Sequence, residues 1–209
     1  MTEGRTQIIL WRHGQTTFNV ENRFQGHLDA PLNDVGLAQA EVAAVGLSKL
    51  RIDAIYASPL QRAYITAQAL AGRVDLSIAT DDRLKEIDVG EWEGLYAEDI
   101  YRANPEFVLA LGEGRDARRS PTGETGAEVA ARMAEALREI ASAHLGQTVV
   151  VASHGLAIRM GTAGVLGWDY PTSTTLASMS NCGWTMLAAR PDSYWKLVTW
   201  NQRAEQLLH

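Results

Sequence analysis

The sequence predicts a three-layer α/β/α fold built on a mostly parallel central sheet. Short apolar runs alternate with longer segments whose apolar residues recur at helical spacing, a pattern typical of strand–helix–strand units. Two of the apolar runs, residues 8–11 and 149–152, end alike, because each leads into a histidine and a glycine. Continuously apolar runs of this length are typical of strands buried on both faces, and glycine marks the turn that follows.

Length and composition predict a single domain that covers residues 1–209. A hydrophobic content of 46% supports a packed core, and 19 basic against 25 acidic residues give a net charge of −6. That charge argues against a general nucleic-acid or membrane-surface binder, which needs a basic face. Cys182 is the only cysteine, which excludes an internal disulfide and favours the reducing cytoplasm. No run approaches the roughly 20 apolar residues of a membrane helix, and residues 1–7 lack an apolar signal region.

The first strand, residues 8–11, leads into a polar loop over residues 15–31, and loops of that length in compact domains are usually functional. Residues 35–50 have apolar positions at helical spacing, and Asn33 is suited to cap the helix that they predict. A second buried strand is expected over residues 54–57.

The second strand is followed by Ser58 and Pro59, which are expected to open a helix with serine as its cap and proline in its first turn. Arg62 falls at the start of this helix. Residues 76–80 are expected to form a weaker strand, and residues 83–94 are irregular.

Short helices are expected over residues 97–111, with a break at Asn104-Pro105. A polar loop over residues 112–126 carries three arginines whose role the sequence leaves open: Arg115, Arg118 and Arg119. The remaining expected elements are an amphipathic helix over residues 126–144, a strand over 148–152, a helix after Gly155, and strands at 186–188 and 197–199 around Pro191-Asp192.

Polar residues that follow the apolar runs are predicted to converge on one pocket. The carboxyl ends of parallel strands meet at one edge of an open sheet, where ligands bind. If residues 8–11 and 149–152 are parallel neighbours, His13 and His154 face each other there. Guanidinium groups suit phosphate oxygens, so two arginines and two histidines make an anion site. The collected candidates are Arg12, His13, Asn19, Arg62, Glu86 and His154.

These residue types point to phosphoryl transfer through a phosphohistidine. A neutral histidine whose other ring nitrogen is held by a carbonyl can act as the nucleophile. Glu86 can protonate the leaving oxygen and then activate water, although Asp88 and Glu91 compete for this role. No metal is expected, because the sequence has no His-x-x-x-His or Asp-rich loop and arginines repel a cation. His27 has no motif support and is expected at the surface.

A set of motifs from residue 10 to about residue 155 carries a family resemblance. The motifs are Leu10-Trp11-Arg12-His13-Gly14-Gln15-Thr16, Asn19, Gln25-Gly26, Pro31-Leu32, Ser58-Pro59-Leu60-Gln61-Arg62-Ala63, Glu86, Gly90-Glu91-Trp92-Glu93-Gly94 and Ser153-His154-Gly155. In this combination the chain resembles the histidine phosphatase superfamily, which implies a phosphoglycerate mutase-like fold.

The resemblance also implies the roles of the candidate residues. His13 is implied to be the phosphorylated nucleophile and Glu86 the proton donor. The residues implied to bind and stabilise the transferring phosphoryl group are Arg12, Arg62 and His154. The residues implied to contact phosphate or substrate from the first loop are Asn19, Gln25 and Gly26. Hydrolysis in the family needs no metal and no organic cofactor, and a homodimer is expected because relatives are often dimers.

Three functions fit the resemblance: a phosphatase of small-molecule phosphate monoesters, a phosphoglycerate mutase, and a non-catalytic binder of phosphorylated ligands. The mutase is disfavoured because mutases have Glu-Arg-x-Tyr-Gly where this chain has Glu86-Ile87-Asp88-Val89-Gly90. The binder is disfavoured because every catalytic position is filled. The aromatic motifs at residues 181–187 and 195–201 resemble members that act on a phosphorylated sugar acid, which is therefore one expected substrate.

Simpler roles stay open for several of these residues. Arg12 or Arg62 alone can be an ion-pair partner of Glu86. Asn19 can cap a turn, and Gln25 can be solvated.

Overall fold

The protein is described by a computed structural model that covers residues 5–190 and 194–204. Within these ranges the strands of one six-stranded sheet are β1 Thr6–Arg12, β2 Ala54–Ala57, β3 Ile78–Thr80, β4 Thr148–Ser153, β5 Trp184–Ala189 and β6 Trp195–Gln202. Their order across the sheet is β3-β2-β4-β1-β5-β6. The three pairs that join β3, β2, β4 and β1 are parallel, whereas β5 pairs antiparallel with β1 and with β6. The predicted mostly parallel central sheet is confirmed.

Helices cover both faces of this sheet. Those in the described ranges are α1 Thr17–Val20, α2 Asp34–Leu47, α3 Gln61–Val74, α4 Ala97–Ala103, α5 Pro105–Gly112, α6 Gly126–Ala143, α7 Gly155–Leu166 and α8 Tyr170–Thr174. Two short 3₁₀ helices, Asp82–Leu84 and Gly90–Trp92, lie in or beside the segment predicted to be irregular. Asn33 caps α2 as expected, because its side-chain oxygen accepts the Gly36 amide at 2.8 Å.

The central strands are buried on both faces and therefore contribute to two cores. Ile8 and Leu10 of β1 point to one face and pack in the core that contains α6 and α7. Ile9 and Trp11 point to the other face and pack with α2 and α3. Successive strand residues alternate between faces, so a strand covered on both sides needs a continuously apolar sequence. This arrangement is the predicted three-layer α/β/α fold.

The register of β1 against β4 determines where the site lies. Arg12 pairs with Ser153 in the parallel register, so His13 and His154 follow at the same level. The amide of His13 extends the ladder by donating to the carbonyl of Ser153 at 3.0 Å. On the far side of β4, Ser58 follows β2 at the same edge of the sheet. The ends of β1, β4 and β2 therefore position polar side chains together at one edge of the sheet.

The structure differs from the predicted elements in three places. The loop over residues 15–31 contains α1, which has a side-chain capping box but no buried residue, so no apolar pattern indicates it. Helix α3 begins at Gln61 without a side-chain cap, so the prediction that Ser58 caps it is wrong. Helix α8 has no counterpart among the predicted elements. The predicted turn at Pro191-Asp192 lies outside the described residues.

Two glycines allow the loop after β1 to lie directly against the start of α2. A Cβ atom on Gly14 would lie 2.4 Å from the carbonyl oxygen of Gly36. A Cβ atom on Gly36 would lie 2.1 Å from the carbonyl oxygen of Gln15. Both distances are far below van der Waals contact, so a larger residue must push one backbone segment away from the other. The contact therefore constrains the loop that follows His13.

We predict that Gly36→Ala lowers the free energy of unfolding by about 1 to 3 kcal/mol, because the new methyl group overpacks a backbone contact. Gly72→Ala is the matched control, since Gly72 lies in α3 with nothing within 4 Å of the position that its new methyl group would take. The control is expected to stabilise the protein by about 0.4 to 1 kcal/mol, because alanine restricts the unfolded chain. Urea unfolding of both variants checks this, and equal effects of the two would contradict it.

Candidate active site

One cleft at the carboxyl edge of the sheet collects most of the predicted site, and its volume is about 280 Å³. The predicted residues that line it are Arg12, His13, Asn19, Gln25, Gly26, Arg62 and Glu86. Aromatic and aliphatic side chains form much of the remaining wall, together with Arg23 and Arg119. His154 is not part of the lining and lies buried against His13.

His13 is 2% exposed and its ring is held in one orientation. Its Nδ1 lies 2.6 Å from the carbonyl oxygen of Gly14. Because a carbonyl only accepts hydrogen bonds, Nδ1 carries the proton, and Nε2 of the neutral ring has the lone pair. A strand end and one backbone carbonyl thus hold the imidazole in the tautomer that a nucleophilic histidine requires.

Arg62 is fully buried at the first turn of α3. Its terminal nitrogens donate to the carbonyl oxygens of Gly26 at 2.7 Å and Leu28 at 2.8 Å. Its Nε donates to Nδ1 of His154 at 3.2 Å. A guanidinium has five N–H groups, so these three contacts leave two of them for a ligand. The same side chain ties the first loop to the sheet edge.

His154 is fully buried, and both of its ring nitrogens have protein partners. Nδ1 accepts from Arg62, so Nε2 of the neutral ring carries the proton and donates to Oγ of Ser58 at 2.8 Å. The ring centroids of His154 and His13 lie 5.2 Å apart, so the predicted juxtaposition of the two histidines is present. The predicted contact of His154 with phosphate stays a prediction, because it requires the ring to exchange one of these bonds.

Burial keeps the histidines of the site neutral while its arginines stay charged. It lowers the pKa of His13 well below the ordinary value of about 6.5, and the nearby Arg62 and Arg12 lower it further. Burial and then Arg62 lower the pKa of His154 in the same direction. Burial lowers the pKa of Arg62 to about 10, and it also lowers the pKa of Arg12. At neutral pH the site therefore holds two cations and two neutral imidazoles.

Arg12 has hydrogen-bond donors that are available to an anion. One of its terminal nitrogens donates to the carbonyl oxygen of Met179. Its buried Nε has no hydrogen-bond partner among the described residues. The backbone of Gly155 passes close by, since a Cβ atom there would lie 3.3 Å from this nitrogen. A buried donor without a partner is costly, so an anion in the cleft would relieve that cost.

Glu86 is held by the first turn of α7. Its carboxylate accepts the amides of Ala157 at 2.9 Å and Leu156 at 3.2 Å, together with the amide of Ile87 at 3.0 Å. The helix start has no side-chain cap from its own N-cap residue, His154. Glu86 therefore takes the place of a cap, which the positive end of the helix dipole favours. This contact fixes the carboxylate at the cleft wall.

The backbone that carries Glu86 is clamped by Arg132 of α6. The terminal nitrogens of Arg132 donate to the carbonyl oxygens of Arg83 and Lys85, both at 2.7 Å, and of Glu86 at 2.9 Å. Two further bonds of 2.8 Å join Arg132 to the carboxylate of Glu124. A bidentate pair fixes the guanidinium plane, so one side chain orients the whole turn.

Thr16 connects the polar residues of the first loop. Its hydroxyl donates to Oε1 of Gln25 at 2.9 Å, and its amide donates to Oδ1 of Asn19 at 3.0 Å. Asn181 donates to the same Asn19 oxygen at 3.2 Å and to the carbonyl of His13 at 3.3 Å. The side-chain oxygens are thus occupied, which leaves the amide NH₂ groups of Asn19 and Gln25 as donors at the cleft. Thr16 is the N-cap of α1, and Asn19 completes its capping box by accepting the Thr16 amide, so a local structural role of Asn19 is also present.

Sequence reasoning does not identify some residues of this site. Arg132 and Arg119 are arginines in a helix and a loop, and no local pattern distinguishes them from solvated ones. Ser58, predicted to be a helix cap, bonds instead to His154. His27, expected at the surface, is about one-third exposed, and its Nε2 lies 2.8 Å from the Glu86 carbonyl oxygen.

A family model described as the histidine phosphatase superfamily (branch 1) matches residues 8–203. The chain therefore belongs to the histidine phosphatase superfamily. It is 34% identical to the glucosyl-3-phosphoglycerate phosphatase of Mycolicibacterium vanbaalenii, over 95% of this chain and 96% of that protein. It is 37% identical to phosphoserine phosphatase 1 of Hydrogenobacter thermophilus, over 78% of this chain and 77% of that protein.

Solved structures agree with the sequence comparison. A mycobacterial glucosyl-3-phosphoglycerate phosphatase in complex with VO3 has a TM-score of 0.86 and 35% identity, covering 93% of this chain and 98% of that one. The predicted family, phosphoglycerate mutase-like fold and phosphatase class are confirmed, and the chain is a phosphoric monoester hydrolase of the histidine phosphatase type.

Two further observations concern ligand classes. In residues 5–190 and 194–204, no helix has both the length and the apolar character needed to cross a membrane. In the same part of the chain, no three histidine, cysteine, aspartate or glutamate side chains are grouped so that they could hold a metal ion.

We predict that acid destabilises the fold through the two buried histidines. The unfolded chain takes up protons on both near pH 6.5, whereas the fold keeps them neutral until the pH reaches their lowered pKa values. The free energy of unfolding should therefore fall by about 2 to 3 kcal/mol between pH 7.5 and 5.5.

Urea unfolding across this pH range is the measurement. His154→Gln removes one of the two titrating groups and should reduce the pH dependence to about half, whatever its effect on stability at pH 7.5. A wild-type free energy that is independent of pH over this range would contradict the prediction, because it would show that the rings take up protons equally in the folded and unfolded chain.

Proposed function

We propose that this protein hydrolyses small-molecule phosphate monoesters with His13 as the group that accepts the phosphoryl. The observation that carries the proposal is the Nδ1 contact of His13 with the Gly14 carbonyl, which leaves the Nε2 lone pair available in a cleft with the buried Arg62 and the partly buried Arg12. A neutral imidazole beside fixed cations attracts a phosphate dianion and still has electrons to attack phosphorus.

In the first half of the reaction, Nε2 of His13 bonds to phosphorus and the bond from phosphorus to the ester oxygen breaks. Arg12 and Arg62 bind the non-bridging oxygens, since Arg12 has an unpaired Nε and Arg62 has two unused N–H groups. The carboxyl group of Glu86 gives its proton to the departing alkoxide. The alcohol then leaves, and the phosphoryl group stays on His13.

In the second half, water attacks phosphorus and the bond to His13 breaks. The Glu86 carboxylate takes the proton from that water and returns to its protonated form, so it acts as acid and base in turn. Inorganic phosphate then leaves. Three amide contacts hold this carboxylate at the cleft wall, a support that Asp88 lacks, since its carboxylate accepts the Gly90 amide instead.

We assign the remaining predicted residues to phosphate positioning. The amide groups of Asn19 and Gln25 and the backbone of Gly26 approach the substrate from the first loop. His154 holds the guanidinium of Arg62 and supports the ring of His13.

Similarity to a glucosyl-3-phosphoglycerate phosphatase and to a phosphoserine phosphatase supports a phosphorylated sugar or small acid as substrate. The apolar part of the cleft wall gives room for an organic group beyond the phosphate. The single buried cysteine, Cys182, is compatible with the reducing cytoplasm as the site of action. The homodimer expected from the resemblance stays a prediction, as does the absence of nucleic-acid partners.

We predict that His13→Ala lowers turnover by at least about 10³-fold, because it removes the group that forms the covalent bond. Phosphate-labelled substrate should leave an acid-labile, base-stable label on the wild type that maps to His13, with EDTA present throughout. His27→Ala is the matched control, since His27 contacts the turn that carries Glu86. This variant should still be labelled on His13. Label on serine or aspartate, or a requirement for a divalent ion, would disprove the mechanism.

We predict that Glu86→Gln loses about 10² to 10⁴-fold in kcat/KM on an alkyl phosphate, because an alkoxide needs a proton in order to leave. The loss on p-nitrophenyl phosphate should be much smaller, because nitrophenolate is stable without protonation. Asp88→Asn serves as the control and should affect both substrates little. Equal losses of Glu86→Gln on the two substrates would transfer the acid role to Asp88 or Glu91.

A further inference from the structure

Arg119 is a buried cation of the cleft to which the proposed phosphoryl transfer gives no role. Arg119 lines the cleft and is 5% exposed, yet its contacts are with none of the residues that we assign to the phosphate. It follows α5 in the polar loop that leads to α6, and its guanidinium lies over the ring of Phe107, 5.6 Å from the centroid. Phe107 also lines the cleft, so Arg119 and this aromatic wall face the same space.

The guanidinium of Arg119 is held firmly but is not saturated. One terminal nitrogen donates to Oδ1 of Asp116 at 3.0 Å and to the carbonyl oxygen of Ala117. The other approaches the hydroxyl of Tyr170 at 3.4 Å, which is a long contact. These contacts use at most three of its five N–H groups. The side chain is therefore preorganised and can still donate to a ligand.

Asp116 offsets only part of this positive charge. Its carboxylate also accepts the amides of Gly126 at 2.9 Å and Ala127 at 2.8 Å, at the start of α6. The positive end of the helix dipole thus shares the carboxylate with Arg119.

Among the described residues that line the cleft there are four arginines and one carboxylate, that of Glu86. Two of these arginines meet the phosphate. Of the other two, Arg23 pairs with Glu21 at 3.1 Å, whereas Arg119 shares its carboxylate partner with the start of α6 and is the one available to a second anion.

We propose that Arg119 binds a carboxylate of the substrate, so that the enzyme selects phosphate monoesters that also carry an acid group. The inference rests on the proposed function and specifies its substrate class. A planar guanidinium with two unused donors suits a carboxylate, and the apolar wall around it strengthens the interaction. A monoanion is favoured over a second phosphate, because one partly paired guanidinium does not balance two additional charges in a buried position.

A purely structural role is the alternative explanation. In that case Arg119 only ties the loop between α5 and α6 to Tyr170, and its loss affects all substrates equally through a displaced loop. The two explanations differ in substrate preference and not in total activity, so the test compares esters that differ only in the acid group.

The first experiment compares 3-phosphoglycerate with glycerol 3-phosphate, in which a hydroxymethyl group replaces the carboxylate. The wild type should prefer the acid by roughly 10- to 100-fold in kcat/KM, mainly through KM, as expected for a charge-assisted hydrogen bond. Arg119→Gln should abolish this preference while it keeps glycerol 3-phosphate and p-nitrophenyl phosphate within about threefold of the wild type. Arg119→Lys, which keeps the charge without the planar fork, should be intermediate.

Arg115→Gln is the matched control, because Arg115 lies in the same loop, is well exposed and pairs with Glu113 at 2.5 Å. It should keep the wild-type preference. Equal losses on both esters in Arg119→Gln, or a wild type without preference, would overturn the inference. A wild type that favours glycerol 1,3-bisphosphate over 3-phosphoglycerate would also overturn the assignment to a carboxylate.

A binding experiment separates this inference from the proposed function. Calorimetry on His13→Ala, which is not expected to turn the esters over, should show 3-phosphoglycerate binding at least tenfold more tightly than glycerol 3-phosphate. The additional Arg119→Gln change should remove that difference. This result supports Arg119 even if no ester is hydrolysed by the wild type, an outcome that would reject only the phosphatase mechanism. Equal binding of the two esters to His13→Ala would reject the role of Arg119.

Discussion

The parallel pairing of β1 with β4 is the constraint on which the site depends. The register that sets Arg12 beside Ser153 places His13 and His154 at one level, 5.2 Å apart between ring centroids. A shift by one residue would turn the side chains of a strand to the opposite face, and both faces are packed into cores. The same burial that fixes the register therefore fixes the position of His13, the nucleophile that we propose.

The chemistry of the site follows from its excess of positive over negative charge. In the described part of the chain, four arginines, the imidazole of His13 and one carboxylate line the cleft, and His154 is buried behind His13. Desolvation keeps both imidazoles neutral, while Arg12 and Arg62 stay charged at neutral pH. The side chains of the cleft thus carry an excess of positive charge, which a phosphate ester balances. Among the described residues, Glu86 forms no ion pair with Arg12 or Arg62, because its carboxylate is bound by backbone amides of α7. Burial lowers the pKa of both arginines, and the charge of Glu86 nevertheless acts on them through space and opposes that effect.

The parts predictable from the sequence are those that a local pattern determines. Continuous apolar runs indicate β1 and β4, and the parallel architecture then brings His13 and His154 together. Ser58 shows where local rules fail, since Ser-Pro matches a helix start but the helix begins only at Gln61, after a bend at residues 59–60. There the hydroxyl bonds to His154, a partner distant in the sequence. The contacts of Arg119 and Arg132 depend on which carbonyls and rings the folded chain places opposite them, and no spacing encodes that.

The five hydrogen bonds of Arg132 have a consequence for how the enzyme loses activity on heating. They join the turn that carries Glu86 to α6, whose apolar face lies in the larger core. Local openings detach segments that few interactions hold, and this turn is not such a segment. We therefore expect the turn that carries Glu86, the proton donor that we propose, to keep its alignment until the core that holds α6 unfolds.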